Sequence, residues 1–229
     1  MTLPGPPLRK GALVQIFEGV VGLGLPNIVL FQYNPQKISH TITPWNPAEV
    51  DQTQRGAQGP TVQPFNPKQS FSLSLELDAS DDIEQDSKIA IRWGVADRLA
   101  ALKKLTYASE GLLGDLLRSA KLLAGDMQCK VERPNVPIIL FVWGPGRVLP
   151  VRVTSFSVEE TLYTAKLFPL HATVGLGLEV MTPDVFKCKA SFIEQIAIAT
   201  YEYTHLVDDV MAILNAAQNI TRFAGIPPL

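Results

Sequence analysis

Residues 71–78 of this chain read Phe-Ser-Leu-Ser-Leu-Glu-Leu-Asp, and that strict alternation constrains the fold more than any other stretch. Successive side chains of a strand point to opposite faces, so Phe71, Leu73, Leu75 and Leu77 share one face while Ser72, Ser74, Glu76 and Asp78 share the other. A helix would scatter the same residues around its axis. The segment therefore predicts an antiparallel strand with one face in a core and one in water. Residues 170–180 repeat the pattern through Ala172, Val174, Leu176 and Leu178. Gly175 and Gly177 fall on the opposite face, where another backbone or subunit can approach closely.

Other segments supply more strands. Residues 12–17 are apolar and β-branched, and residues 28–33 form a second candidate strand that stops at Asn34-Pro35, because proline cannot donate to a ladder and restricts the residue before it. Gly22, Gly24 and Pro26 separate the two, which read as a hairpin or as sheet neighbours. Residues 39–43 extend the sheet, and residues 44–67, rich in proline, glycine, glutamine and asparagine, read as a long loop. Later strands are expected over 138–143, ended by Gly144-Pro145-Gly146, over 147–157 and over 170–180.

Between residues 95 and 105 the period changes. Val95, Leu99, Leu102 and Leu105 lie on one helical face, with Asp97, Arg98, Lys103 and Lys104 outside, so an amphipathic helix packs on the sheet. Residues 111–124 carry helical leucines broken by Gly111 and Gly114 and read as a short or broken helix. From Ala190 the pattern is helical through Phe192, Ile196, Ala199, Val207, Val210, Met211 and Leu214, ending near residues 224–228. This tail reads as one or two helices, aliphatic enough to need a partner surface. The expectation is an α+β fold, β-rich, with a mobile arm over residues 1–10, a β domain over 11–182 and a helical extension over 183–229.

Several function classes find no footing in the residues. With 20 basic and 22 acidic side chains, a formal charge of -2 and no long run of either sign, the chain carries no electrostatic footprint for nucleic acid or anionic lipid. The 46% hydrophobic share is that of a globular protein, yet no apolar run reaches membrane-span length, and Glu194, Glu202, Asp208 and Asp209 interrupt the tail. The start, Met-Thr-Leu-Pro-Gly-Pro-Pro, lacks the apolar core of a signal peptide, so the expected place of synthesis and assembly is the cytoplasm. Cys129 and Cys188 have no metal-ligand spacing and read as free thiols.

No catalytic constellation emerges either. His40, His171 and His205 sit in no usable motif and read as surface or sheet-edge contacts. The acidic cluster Asp78, Asp81, Asp82, Glu84 and Asp86 lacks the glycine and terminal glutamate of a calcium loop and reads as a solvated turn. Gly19, Gly22 and Gly24 are followed by no Gly-Lys-Ser/Thr, so a turn explains them better than a phosphate site. Glu159 and Glu160 are adjacent on a strand, point to opposite faces and cannot share a proton. Trp143, at the end of its strand, reads as a packing residue. The expectation is no catalytic residue, no cofactor and no metal.

Three segments in order carry a family resemblance: Phe31, Gln32, Tyr33, Asn34 and Pro35; then residues 137–144, Pro-Ile-Ile-Leu-Phe-Val-Trp-Gly; then residues 152–160, beginning Arg-Val-Thr-Ser-Phe, with Pro169-Leu170-His171-Ala172 beyond. In this combination the chain resembles the tube-protein family of contractile injection systems, phage-tail-like machines that drive a rigid tube out of a contracting sheath. The resemblance implies a phage tube-like β domain over 11–182, of packed sheets or a barrel with a flanking helix, six copies of which close a ring around a channel. The LysM module that many baseplate members carry has no counterpart in residues 190–229. The resemblance thus implies a bacterial structural protein, a baseplate adaptor joining the spike or hub to the first inner-tube ring, in a particle that is assembled in the cytoplasm and can be released. A cap-proximal adaptor is the alternative within the class, and a soluble carbohydrate-binding β-sandwich the alternative outside it. Phe31, Tyr33, Asn34 and Pro35 form the expected fold signature, with plain core packing as the simpler reading. Tyr201, Tyr203, Val207 and Met211 form the expected partner surface.

Overall fold

The computed structural model describes residues 9–16, 26–44, 66–107, 116, 119–120, 123, 138–186 and 191–223. The expected arm at residues 2–7, most of the 44–67 loop, Gly19, Gly22, Gly24, Cys129, Cys188 and the tail end at 224–228 lie outside them. So does most of the 111–124 segment, of which residues 116, 119, 120 and 123 are helical.

The fold is α+β. Seven strands, β1 (Ala12–Gln15), β2 (Asn27–Leu30), β3 (Ile38–Thr43), β4 (Lys68–Asp78), β5 (Ile139–Val142), β6 (Val148–Tyr163) and β7 (Pro169–Val180), form one sheet in the order β2-β1-β5-β6-β7-β4-β3. Every pairing is antiparallel. Strand β4 follows its alternation through its whole length: Gln69, Phe71, Leu73, Leu75 and Leu77 are buried, and the residues between them face out.

The sheet curls on itself. Flat neighbouring strands stand about 4.8 Å apart, so β4 and β5, three places apart in the order, would lie roughly 14 Å apart in a flat sheet. Phe71 of β4 and Phe141 of β5 instead meet with ring centroids 5.3 Å apart, and Trp143 stacks on Phe141 at 6.3 Å. A bulge between Val153 and Ser155 supplies part of the bend, since an extra residue in one strand sharpens the local twist. The concave side so formed is the core, filled by Phe31, Phe71, Phe141, Leu75, Leu178 and their neighbours.

Three short helices follow β4: α1 (Ser80–Glu84), α2 (Lys88–Trp93) and α3 (Ala96–Lys104). The expected amphipathic face is the buried one, with Val95, Leu99, Leu102 and Leu105 all in the core. The acidic stretch read as a solvated turn is helical in part, with Asp81 and Asp82 in the first turn of α1. Gly94 joins α2 to α3 at φ +58°, and a Cβ there would sit 2.0 Å from the Pro169 carbonyl oxygen, so only glycine lets the helical layer close onto the start of β7.

After β7 and a 3₁₀ turn (Pro183–Val185), the tail is a single helix, α4 (Phe192–Phe223), of 32 residues. It starts at a reciprocal cap: Ser191 Oγ accepts the Glu194 N–H, and the Glu194 carboxylate accepts the Ser191 N–H at 2.7 Å.

Candidate functional site

The Phe-Gln-Tyr-Asn-Pro segment is not part of a strand. Strand β2 ends at Leu30, and the next residues turn away to work as a clamp. Phe31 is buried, and its N–H donates to the Gly11 carbonyl at 2.9 Å. The Gln32 amide mimics a backbone partner for the end of β4, accepting the Asp78 N–H at 2.9 Å and donating to the Asp78 carbonyl at 2.7 Å. Arg98 of α3 donates to both Gln32 and Asp82. Tyr33 donates its hydroxyl to Asp81 at 2.6 Å, and that bond, which exists only with the phenol protonated, holds the Tyr33 pKa above its ordinary value. Asn34 accepts from the Gly11 N–H and donates to the Arg9 carbonyl, both at 2.9 Å. Four consecutive residues thus fasten the N-terminal strand, the end of β4 and the α1–α3 layer to one another. The segment's role inside this chain is structural.

The expected partner surface divides. Tyr201 is 4% exposed and belongs to the core cluster, and burial raises its pKa. Tyr201 is therefore corrected from a partner residue to a core residue. Tyr203 donates its hydroxyl to the Pro145 carbonyl at 2.7 Å, and Val207 lies over Gly146, whose built Cβ would stand 3.1 Å from Val207 Cγ1. Thr204 completes the dock by accepting the Val148 N–H at 3.0 Å and donating to the Val148 carbonyl at 2.8 Å. Only Met211 of the expected four stands wholly clear, on the half of α4 where every side chain from residue 208 to residue 220 is exposed.

The surface with a composition of its own is the outer face of β3, β4, β7 and β6. Register brings Ser72, Gly177 and Ser155 into one row and Ser74, Gly175 and Ser157 into the next. Ser39 of β3 extends the first row. The two glycines make room for the serines: a Cβ at Gly175 would sit 2.5 Å from Ser157 Oγ and one at Gly177 would sit 2.3 Å from Ser155 Oγ. A shallow depression of about 380 Å³ results, with Lys37 at its border. An Arg152–Glu179 ion pair closes one end of the face, and Glu76 and Glu159 flank Thr173 toward the other.

The histidines do not converge. His40 stacks on Phe71 at 4.1 Å, His171 shares a hydrogen bond with Thr161 at 2.9 Å, and His205 packs against Tyr201. Among the described residues no three His, Cys, Asp or Glu side chains are grouped to hold a metal ion. None of their helices is long and apolar enough to cross a membrane.

A strand edge and an apolar tip lie at the periphery. Among the described residues, strand β6 pairs with β5 only through residue 151, so beyond its bulge its described partner, β7, lies on one side. The β6–β7 tip exposes Leu162, Tyr163 and Leu167, with Leu162 and Leu167 both at positive φ, a backbone state that branched apolar residues seldom adopt. No protein-family model matches the sequence, and no curated protein matches it.

Proposed function

We propose that this chain is a structural ring subunit of a contractile injection system, set in the baseplate as the adaptor between the spike or hub and the first ring of the inner tube. The observation that carries the reading is the serine and glycine face of β3, β4, β7 and β6. A wall of a water-filled channel has to be wet, low in relief and free of large apolar groups. The two Ser-Gly-Ser rows meet those demands on the face opposite the core.

The sheet edges support the same reading. Among the described residues, edge strands β2 and β3, and β6 beyond residue 153, have backbone groups without a strand partner, which a neighbouring copy in a closed ring would cover. Ile28 and Leu30 of β2 are exposed along one of those edges. The tip with Leu162, Tyr163 and Leu167 lies roughly 50 Å along β6 from the turn that receives α4. It gives the ring an apolar contact toward whatever stacks on that side.

Electron microscopy of sheathed particles from bacteria lacking the gene tests the assignment. Absence of particles, or loose sheath and tube fragments alone, is the expected outcome for an adaptor that initiates the tube. Particles of abnormal and variable length would move the chain to the cap end, and normal particles would overturn the structural role.

A further inference from the structure

Helix α4 carries two apolar faces; among the described residues one is buried against the sheet domain, while the other touches it only through the Tyr203 hydroxyl and the half-buried Ile196. The buried face is Ile193, Ala197, Tyr201 and Thr204. The other runs the length of the helix at alternating steps of four and three: Phe192, Ile196, Ala199, Tyr203, Leu206, Val210, Ile213, Ala217 and Ile220. That is the a/d pattern of a coiled coil sustained over four heptads, the length at which the pattern specifies a helical partner. From Leu206 onward it is open to solvent: Leu206 is 61% exposed, Ile213 67% and Ile220 68%. Projecting apolar helices with this period are covered by other helices, since knobs fit only holes of the same spacing.

We infer that the partner is a second copy of this same helix, aligned parallel and in register, so that α4 is a self-association element of the protein. Charge selects both the partner and its direction. Residues 206–220 contain only two charged side chains, Asp208 and Asp209, too few to encode recognition of a basic or acidic foreign helix. In the parallel register each flanking g position meets an e position of the other copy: Glu202 meets Val207 and Asp209 meets Leu214, with no like charges opposed. The antiparallel alternative with full overlap sets Glu202 against Asp209 twice, a repulsion with nothing to offset it. The exposed apolar e position Leu214 widens the seam, which suits more than two strands. Copies related by a rotation axis that runs along the helices present them in this parallel sense, yet the seam is separate from the sheet edges and the inference does not rest on the ring.

The test is disulfide cross-linking of the full chain with Cys129 and Cys188 changed to serine. Ala217→Cys places the thiol on the seam, and Asn219→Cys places it on the outer face of the same turn. Parallel pairing brings equivalent seam sulfurs within bonding distance, so Ala217→Cys should form interchain disulfides about tenfold faster or more than Asn219→Cys. Adding Leu206→Asp and Ile213→Asp should abolish that advantage. Because both residues are exposed, the β domain should keep its thermal unfolding curve. Equal rates at the two positions, or a rate at Ala217→Cys that the aspartates leave unchanged, would overturn the inference. A ring held by its sheet edges would survive the aspartates, so failure of the seam and failure of the ring are distinguishable.

Discussion

The two faces of the β4–β7–β6 sheet share backbone, register and hydrogen bonds and differ only in what their side chains were chosen to meet. On the concave face Phe71, Leu73, Leu75, Val174, Leu176 and Leu178 are at most 4% exposed and pack against the rest of the chain. On the other, serines stand over glycines and the largest groups are charged. Apolar burial at about 25 cal/mol per Å² holds the first face in place, whereas small hydroxyls in water add little to folding. The contrast teaches that the outer face contributes little to folding, which leaves its composition free to suit what it meets. Helix α4 repeats the lesson, with a docked stripe that serves the fold and a seam that, from Leu206 onward, does not.

The largest expected effect separates the faces directly. Phe71→Ala should cost about 3–5 kcal/mol, as truncation of a buried aromatic that also touches Phe141 and His40. Its neighbour Ser72→Ala should change stability by no more than about 0.5 kcal/mol. Paired denaturant melts read both, and similar losses at the two positions would break the comparison.

On α4 the contrast is between Thr204 and Met211. Thr204→Val strips the Val148 N–H and carbonyl of their partner in a nearly buried place and should cost about 1–3 kcal/mol. Met211→Ala, at an exposed position, should leave the melt unchanged and preserve amide protection in the docked half. Hydrogen exchange along residues 192–207 is the sharper measurement, because loss of the Thr204 contacts should speed exchange there first.

The smallest effects concern pH and act at the clamp. Asp78 is held below its ordinary value by the Ser80 hydroxyl and then by the Ser80 N–H, so its contribution to stability is present above the ordinary aspartate range and is lost as pH falls through its lowered pKa. Tyr33 runs the other way. Its raised pKa means a contribution fully present below the ordinary tyrosine value of 10.0 and lost as pH rises through the raised one. Both groups are largely solvated, and the expected shifts in Tm are slight. Tyr33→Phe should remove the alkaline part while leaving the acid part, which thermal melts at alkaline and acid pH would show.

What the sequence revealed was what its local periodicity encodes. The alternation of residues 71–78 and 172–178 and the helical spacing of Val95, Leu99, Leu102 and Leu105 are local, and each specifies its buried face without reference to anything distant. The curled sheet order is not local: β1 pairs with β5 across more than a hundred residues, and no pattern in either strand names the other. The end of β2 is misleading for a related reason. Residues 28–33 look like one continuous strand, but Gln32 and Tyr33 are claimed by Asp78 and Asp81, which lie 46 and 48 residues away.

Tyr201 looks like a surface aromatic on an aliphatic helix until its half of the helix is known to dock on the sheet domain and carry it into the core. Two signals in α4 are local and readable. Ser191 and Glu194 are spaced as a capping box, and the nine a/d positions from Phe192 to Ile220 are plain in the sequence once the helix is known to be unbroken. The short helices α1 and α2 are too brief to show a period, which is why the acidic segment reads as a turn.

The most direct test of the account is electron microscopy of the assembled protein at a resolution that traces strands. The account predicts a closed ring of copies in which the outer face of β3, β4, β7 and β6, with Ser72, Gly177 and Ser155 in one row, lines the central opening. A ring that turns this face outward or buries it between copies, or an assembly that never closes, would contradict it.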